Sequence, residues 1–404
     1  MKILFITDNF TPEVNAPATR TYEHCKEWIK DKDVKVTIIT CTPNFPHGRV
    51  YDGYKNRLYQ TEYIDGIKVI RVWSYITSNS GFVKRVLDYI SFGVMAFFVG
   101  LFQKHDVIIA TSPQFFTTWA AWGISKIKRK PWIFELRDLW PESIKTVGAM
   151  KQGKVIDILE KIELGLYKSC NKVVAVTDAF KTNLISRGID SSKVEVVTNG
   201  SNVELFYPRE TDTNLLNELK LEDKFIVGYI GTHGMAHSLD FIMNSIGKIK
   251  DEKIHFLFIG DGAMKKTIVD IANGLKLTNV TFLDPITKED IPKYLSICDV
   301  SLAPLKKEDN FKSVIPSKIF EASAMLKPTL LGVEGQAQEI IEEYNAGLCF
   351  EPENENDFIE KLYVLKNDAT RYNEIQSGCK KLASDFDRKL LAHKMLEIIK
   401  NTRS

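Results

Sequence analysis

Lys318 and Glu321 are the residues whose types and spacing most directly suggest chemistry; they stand in the run Pro316-Ser317-Lys318-Ile319-Phe320-Glu321. Proline suits the first turn of a helix, and Ile319, Phe320 and Ala324 supply an apolar face, so a helix is predicted to begin close to Pro316. The free amides and positive end of such a helix favour a diphosphate, and Lys318 adds a full charge in the same turn. One turn further on, Glu321 can accept two hydrogen bonds from a ribose diol. A plain i, i+3 surface ion pair between the two is the alternative reading. Beyond Pro328 and a strand, the loop from Gly335 to Glu339 brings another glycine and another carboxylate.

Two glycine pairs follow strand-like runs in the same half. Phe225 to Ile230 leads into Gly231-Thr232-His233-Gly234, and Ile259-Gly260-Asp261-Gly262 ends the next run in the same way. Each alone reads equally as a tight turn. Together they open backbone space on neighbouring strands at one sheet edge, as a nucleotide crevice does.

In the first half, Phe134 to Glu142 ends a strand directly in charged residues. Arg137, permanently ionised and rich in donors, could stabilise developing negative charge, while Asp138 could orient it or hold an acceptor hydroxyl. A structural Arg-Asp pair is the other reading. The loop from Asp8 to Pro17, which contains Glu13, Asn15 and Ala16, ends the first strand at the same edge, with Arg20 and Glu23 at the start of its helix.

These residues require strands to present them. Short β-branched runs alternate with helical stretches along the whole chain, the pattern of parallel sheets built from βαβ units. Strands are predicted at 2–7, 35–41, 67–73, 106–111, 132–136, 172–177 and 194–197. After the interruption around Pro208 the pattern restarts, at 225–230, 254–259, 280–283, 300–304, 329–332 and 347–350. At 404 residues one core is improbable on size alone, so two doubly wound domains are expected, 1–205 and 206–386, with ligands at the carboxyl ends of their strands. A net charge of +2 does not call for nucleic acid, and the six scattered cysteines lack metal-ligand spacing. The first residues lack the pattern of a cleaved signal peptide, so a cytoplasmic protein is expected.

Tyr89 to Gln103 is a run of fifteen uncharged, mostly large and apolar residues between Lys84-Arg85 and Lys104. It is short for a membrane span. A buried helix and a helix lying in the lipid headgroup layer are both consistent with it.

The segments 316–321, 335–339 and 135–142 resemble glycosyltransferase family 4, and the resemblance runs essentially end to end. The turn Gly231-Thr232-His233-Gly234-Met235-Ala236 is similar to that of the N-acetyl-L-fucosaminyl transferases of bacterial O-antigen and capsule assembly. The resemblance implies the GT-B fold, two Rossmann-like domains facing across a cleft, and retention of anomeric configuration. A UDP-sugar would be gripped by the C-terminal domain and a polyprenyl-diphosphate-linked saccharide held by the N-terminal one, without a metal or other cofactor. Residues 387–404 would cross back to the first domain.

Carried onto this chain, donor binding falls to Gly231, Thr232, His233, Gly234, His237, Gly260, Pro285, Ile286, Pro316, Ser317, Lys318, Glu321 and Glu339. Catalysis falls to Arg137, Asp138 and Lys318; the acceptor side comprises Glu13, Asn15, Ala16 and Arg20. Two departures stand out. Ser313 occupies the position of the first of two glutamates eight apart, and Thr232 and His237 stand where an arginine and a lysine commonly hold the diphosphate. The charge of the diphosphate then rests on backbone amides and Lys318. A UDP-sugar 2-epimerase and a non-catalytic nucleotide-sugar-binding protein are the alternatives; an NAD-dependent dehydrogenase is disfavoured because no GxGxxG follows the first strand.

Overall fold

The computed structural model describes residues 1–45, 47–77, 82–112, 114–139 and 153–403. The apolar runs of the first half become β1 (Lys2–Ile6), β2 (Lys35–Cys41), β3 (Tyr59–Ile64), β4 (Ile67–Val72), β5 (Val107–Thr111), β6 (Trp132–Leu136), β7 (Lys172–Ala175) and β8 (Val194–Val196). They form one sheet in the order β3-β4-β2-β1-β5-β6-β7-β8. β1 pairs in parallel with both β2 and β5, so the winding reverses beside β1 and its carboxyl end opens at a switch point.

The helices of this half are α1 (Ala16–Trp28), α2 (Phe82–Leu101), α3 (Phe115–Lys128), α4 (Lys154–Ser169) and α5 (Asp178–Ser186). Strand alternation sorts the core into two layers. Leu4 and Ile6 pack with Phe92 and Ala96 of α2 and Ala121 and Ile124 of α3. Ile3 and Phe5 face the other way, against Cys25 and Trp28 of α1.

β3 is absent from the strands expected from sequence. It pairs antiparallel with β4 at the sheet edge, and its residues alternate between exposed and half-buried, so no apolar run marks it. Its hairpin turn was nevertheless written in the chain: Asp65 and Gly66 both adopt positive φ, at 47° and 84°, as an Asp-Gly turn requires.

The second half folds into β9 (Phe225–Ile230), β10 (Ile254–Ile259), β11 (Val280–Leu283), β12 (Val300–Pro304), β13 (Thr329–Gly332) and β14 (Gly347–Cys349). The sheet order is β11-β10-β9-β12-β13-β14, parallel throughout, with β9 at the switch between β10 and β12. Its helices are α6 (Thr213–Leu219), α7 (Leu239–Ile246), α8 (Lys265–Gly274), α9 (Ile291–Ser296), α10 (Lys318–Ala324), α11 (Gln336–Tyr344), α12 (Glu355–Asn367) and α13 (Ala369–Asp385).

The last helix, α14 (Arg388–Arg403), returns to the first unit. Met395, Leu396 and Ile399 join the layer that holds Trp28, whose indole N–H donates to the Ala392 carbonyl at 2.7 Å. The two compact units are Met1–Asn199 with Lys389–Ser404, and Gly200–Arg388. The boundaries thus fall at 199 and 388 where the sequence suggested 205 and 386. The reason is local: Ser201 N–H donates to the Phe386 carbonyl at 3.1 Å and Arg388 N–H to the Ser201 carbonyl at 2.9 Å, so the two chain crossings bond to each other.

Candidate functional site

In the second unit, β9 and β10 end side by side in the two glycine turns. Gly231, Gly260 and Gly262 have φ of 146°, 141° and 153°, a region that side chains rarely adopt. A Cβ on Gly260 would collide with the Gly231 carbonyl, and one on Gly262 with the His233 carbonyl. The bareness of these two residues therefore serves the approach of one turn to the other. The turns are stitched by Gly231 N–H to Ile259 O (2.9 Å), His233 N–H to Asp261 O (2.8 Å) and Met264 N–H to His233 O (2.8 Å).

Tyr229, one residue before the end of β9, donates its hydroxyl proton to the Thr232 carbonyl at 2.6 Å, which holds the turn and fixes the ring. Over that ring lies Lys318, its Nζ 3.7 Å from the centroid. The Lys318 nitrogen is shielded from solvent, although the stem is partly exposed, and it has no hydrogen-bond partner among the described residues. Burial lowers its pKa to about 7, the Glu321 charge opposing this only in part. A Cβ on Gly231 would lie 3.5 Å from this nitrogen, in ordinary contact with it, so the turn borders the ammonium directly.

Two imidazoles border the same point. His233 is fully buried, and both of its ring nitrogens lack a partner among the described residues, as does Nδ1 of His237. Burial, together with neighbouring lysine charge, pushes both rings down to about 4, so they are neutral at pH 7. Unpaired polar atoms in a dry place are costly, and an anion arriving beside them would satisfy several at once.

α10 opens at Lys318, preceded by half-buried Pro316 and Ser317; the Pro316 carbonyl accepts from Ile319 N–H at 3.2 Å. Lys318 and Glu321 are not the surface pair that their spacing allows. Glu321 instead meets Lys288 at 3.5 Å, brought by the loop after β11. In that loop Pro285 is exposed and Ile286 packs on the Ile259 side of the sheet. Thr232 is exposed at the turn, and Gly234 lies where a Cβ would touch His237 Nδ1 at 3.2 Å. Gly335 caps α11 with φ 78°, where a Cβ would strike the Lys312 carbonyl; Glu339, in the first turn, is exposed.

In the first unit, several expected acceptor residues have structural work. Glu13 is buried, and its carboxylate accepts from the amides of Phe10 (3.2 Å), Asn44 and Phe45 (both 2.9 Å). Asn15 caps α1 through Ala18 N–H at 2.9 Å, and Ala16 is the exposed first residue of that helix. Arg20, also buried, meets Glu135 at 3.0 Å and donates to the carbonyls of Val197 (2.8 Å) and Thr198 (2.5 Å). Burial raises the Glu135 pKa, but Arg20 and Arg137 outweigh it and hold the carboxyl below its usual range.

Arg137 and Asp138 are half-buried at the carboxyl end of β6. Ser112 Oγ accepts both of their amides, at 2.8 and 3.3 Å, and the Arg137 guanidinium donates to the Pro17 carbonyl at 3.2 Å. The remainder of that motif, Trp140, Pro141 and Glu142, lies outside the described residues.

Residues 18–205 match the family model described as Glycosyltransferase Family 4, and residues 224–368 the one described as Glycosyl transferases group 1. The Escherichia coli (strain K12) protein WcaI, named for colanic acid biosynthesis glycosyl transfer, is 25% identical over 88% of this chain and 89% of its own. The TuaH protein of Bacillus subtilis (strain 168), named for teichuronic acid biosynthesis, is 24% identical over 49% of each. Anabaena HepE, solved with UDP and glucose, superposes with a TM-score of 0.72 at 16% identity, covering 99% of this chain and 100% of that one. The chain is a GT-B glycosyltransferase.

Two features of this glycosyltransferase escaped the sequence reading. Lys288 comes from a loop thirty-three residues before its partner Glu321, and nothing in its surroundings marks it. Asp8, at the carboxyl end of β1, is pushed up to about 8 by burial and by the charges of Asp88 and Glu13, and Asp88 itself to about 6 by burial. Strand-end position was the available signal for Asp8; its crowding by Asp88, on a distant helix, was not readable.

Proposed function

We propose that this glycosyltransferase moves an N-acetylamino sugar, N-acetyl-L-fucosamine or a close relative, from UDP to a polyprenyl-diphosphate-linked saccharide in bacterial surface polysaccharide assembly of the O-antigen or capsule type. The observation that carries the donor side is the buried ammonium of Lys318 over Tyr229, beside the Gly231 turn and without a hydrogen-bond partner among the described residues. A diphosphate supplies the oxygens it lacks. HepE, which was solved with UDP, supports the choice of nucleotide, and the names of WcaI and TuaH support the polysaccharide setting.

In this reading Glu321 takes the ribose diol, exchanging its contact with Lys288 for two hydroxyls, and Gly231 to Gly234, His237, Gly260 and the 335–339 loop surround the donor. Arg137 answers developing charge and Asp138 holds the acceptor hydroxyl. The bond from the anomeric carbon to the diphosphate oxygen breaks as the bond to the acceptor oxygen forms on the same face, and the acceptor proton passes to the departing diphosphate. Configuration is retained, no protein nucleophile is used, and no divalent metal takes part. Neutralisation of the leaving group falls to Lys318 and to backbone amides.

The lipid-linked acceptor places the enzyme at the inner face of the cytoplasmic membrane, in peripheral contact through Tyr89 to Gln103. The test is a donor screen with a lipid-diphosphate GlcNAc-type acceptor, read as UDP release and product mass, with and without EDTA. Transfer from a UDP-N-acetylamino sugar that survives EDTA is expected; UDP-sugar interconversion without acceptor would replace this reading with the epimerase.

A further inference from the structure

α2 and α3 lie side by side on one face of the first sheet, brought together by glycines: a Cβ on Gly93 would come within 2.9 Å of Phe116, and one on Gly123 within 2.8 Å of the Phe97 ring. Phe92 and Ala96 fill the core beneath. That burial accounts for one face of each helix and leaves a second apolar face on both.

On α2 the outer stripe is Leu87, Ile90, Val94 and Phe98, spaced to fall along one side; Val94 is 48% and Phe98 55% exposed. On α3, Trp119 and Trp122, one turn apart, are 38% and 42% exposed. A helix that served only the core would carry polar residues at these positions. Among the described residues no helix is long and apolar enough to cross a membrane, so the stripe is a surface and not a span.

Charge says what the surface meets. Residues 115–130 contain no acidic residue and end in Lys126, Lys128, Arg129 and Lys130, all exposed. α2 is preceded and followed by basic residues too, with Lys84 and Arg85 in its first turn and Lys104 just past its end, all exposed. Because β4, β5 and β6 run parallel in one sheet and α2 and α3 connect them in turn, the two helices run in the same direction, and Lys104 and the 126–130 cluster lie together at the amino ends of β5 and β6. Both ends of the apolar face are therefore cationic. A second copy docked on it would set cation against cation in either orientation.

We propose that this two-helix face seats the protein on a bilayer containing anionic phospholipid. Val94 and Phe98 enter the acyl boundary, Trp119 and Trp122 sit at headgroup depth, and the lysines and arginine meet the lipid charge. The proposal rests on the reading of the enzyme as peripheral, and deepens it by naming the second helix and the lipid class.

The full chain would be sedimented with phosphatidylcholine vesicles, and with vesicles in which roughly a third of the lipid is phosphatidylglycerol, at about 0.15 M salt. Pelleting with the anionic vesicles, weakened as salt rises, is expected. Phe98→Ser with Trp122→Ser should lose about ten-fold or more of it, and Lys128→Gln with Lys130→Gln about thirty-fold. A chain that stays in the supernatant with anionic vesicles overturns the proposal, as does sedimentation-velocity behaviour showing a dimer that Phe98→Ser dissociates. UDP titration without vesicles separates the membrane and donor readings: UDP binding without vesicle binding removes this inference and the peripheral contact while leaving the donor reading, and vesicle binding without UDP binding removes the donor reading alone.

Discussion

The ammonium of Lys318 stands 3.7 Å above the centre of the Tyr229 ring, with the ring as its nearest charge-stabilising neighbour and no hydrogen-bond acceptor among the described residues. An aromatic face offers a desolvated cation on the order of 2 kcal/mol, much less than water or a carboxylate would. The site therefore holds a cation at the limit of its stability, which a diphosphate would relieve.

A pH dependence follows. With its pKa at about 7, Lys318 is charged below that value and neutral above it. kcat/KM for the donor should be level below about pH 6.5 and fall ten-fold per unit well above 7, since the charged form binds the anion. His233 and His237, at about 4, contribute nothing to this limb. Lys318→Arg, ionised at every working pH, should move the fall upward or abolish it. An unshifted alkaline limb in that variant would assign the titration to another group.

The glycines make separable predictions. Gly260→Ala drives a Cβ into the Gly231 carbonyl and should lower stability by about 1–3 kcal/mol in urea unfolding, with loss of UDP binding. Gly165→Ala, in α4 with open space around it, should stabilise by about 0.5–1 kcal/mol. Equal effects at the two sites would contradict the close approach of the turns.

Arg20 and Glu135 predict an asymmetry. Arg20→Met strands a buried carboxylate and should cost about 3–5 kcal/mol, whereas Arg20→Met with Glu135→Leu should recover a large part of it. Unfolding midpoints of the two variants check this. A double variant no more stable than the single one would mean that the pair is not the unit of stability.

How much was legible follows from the same residues. β1, β2, β5 and the six strands of the second sheet lie in sheets covered by helices on both faces, so their apolar runs announce themselves. β3 faces solvent on one side at an edge and reads as a polar loop, except for Asp65-Gly66. Lys318 was found from its motif, but not the ring beneath it, because Tyr229 looks like any aromatic core residue of a strand. Glu13 in a strand-end loop and Arg20 at the start of the helix after it look like free polar groups; their partners Asn44 and Glu135 come from other strands' ends, and only the folded sheet brings them together.

Asp8 gives a stability profile of known sign. Its pKa is raised from 3.8 in the unfolded chain to about 8 by burial, with Asp88 and Glu13 adding to the effect and a hydrogen bond from Cys41 opposing it. The folded form then holds a proton that the unfolded form has lost, so stability is complete below about pH 4 and declines as pH rises to about 8. Asp8→Asn should remove that part of the decline. Parallel melting-temperature curves for wild type and Asp8→Asn from pH 4 to 8 would show that Asp8 is not protonated in the fold.

The most direct test of the donor site is calorimetric titration of UDP into the wild-type chain and into Lys318→Ala. A melting temperature no lower than that of the wild type, with UDP affinity lowered about thirty-fold or more, is the predicted result, because a buried ammonium that meets an anion contributes at least about 2 kcal/mol. Equal affinity in the two proteins would contradict the placement of the diphosphate at Lys318.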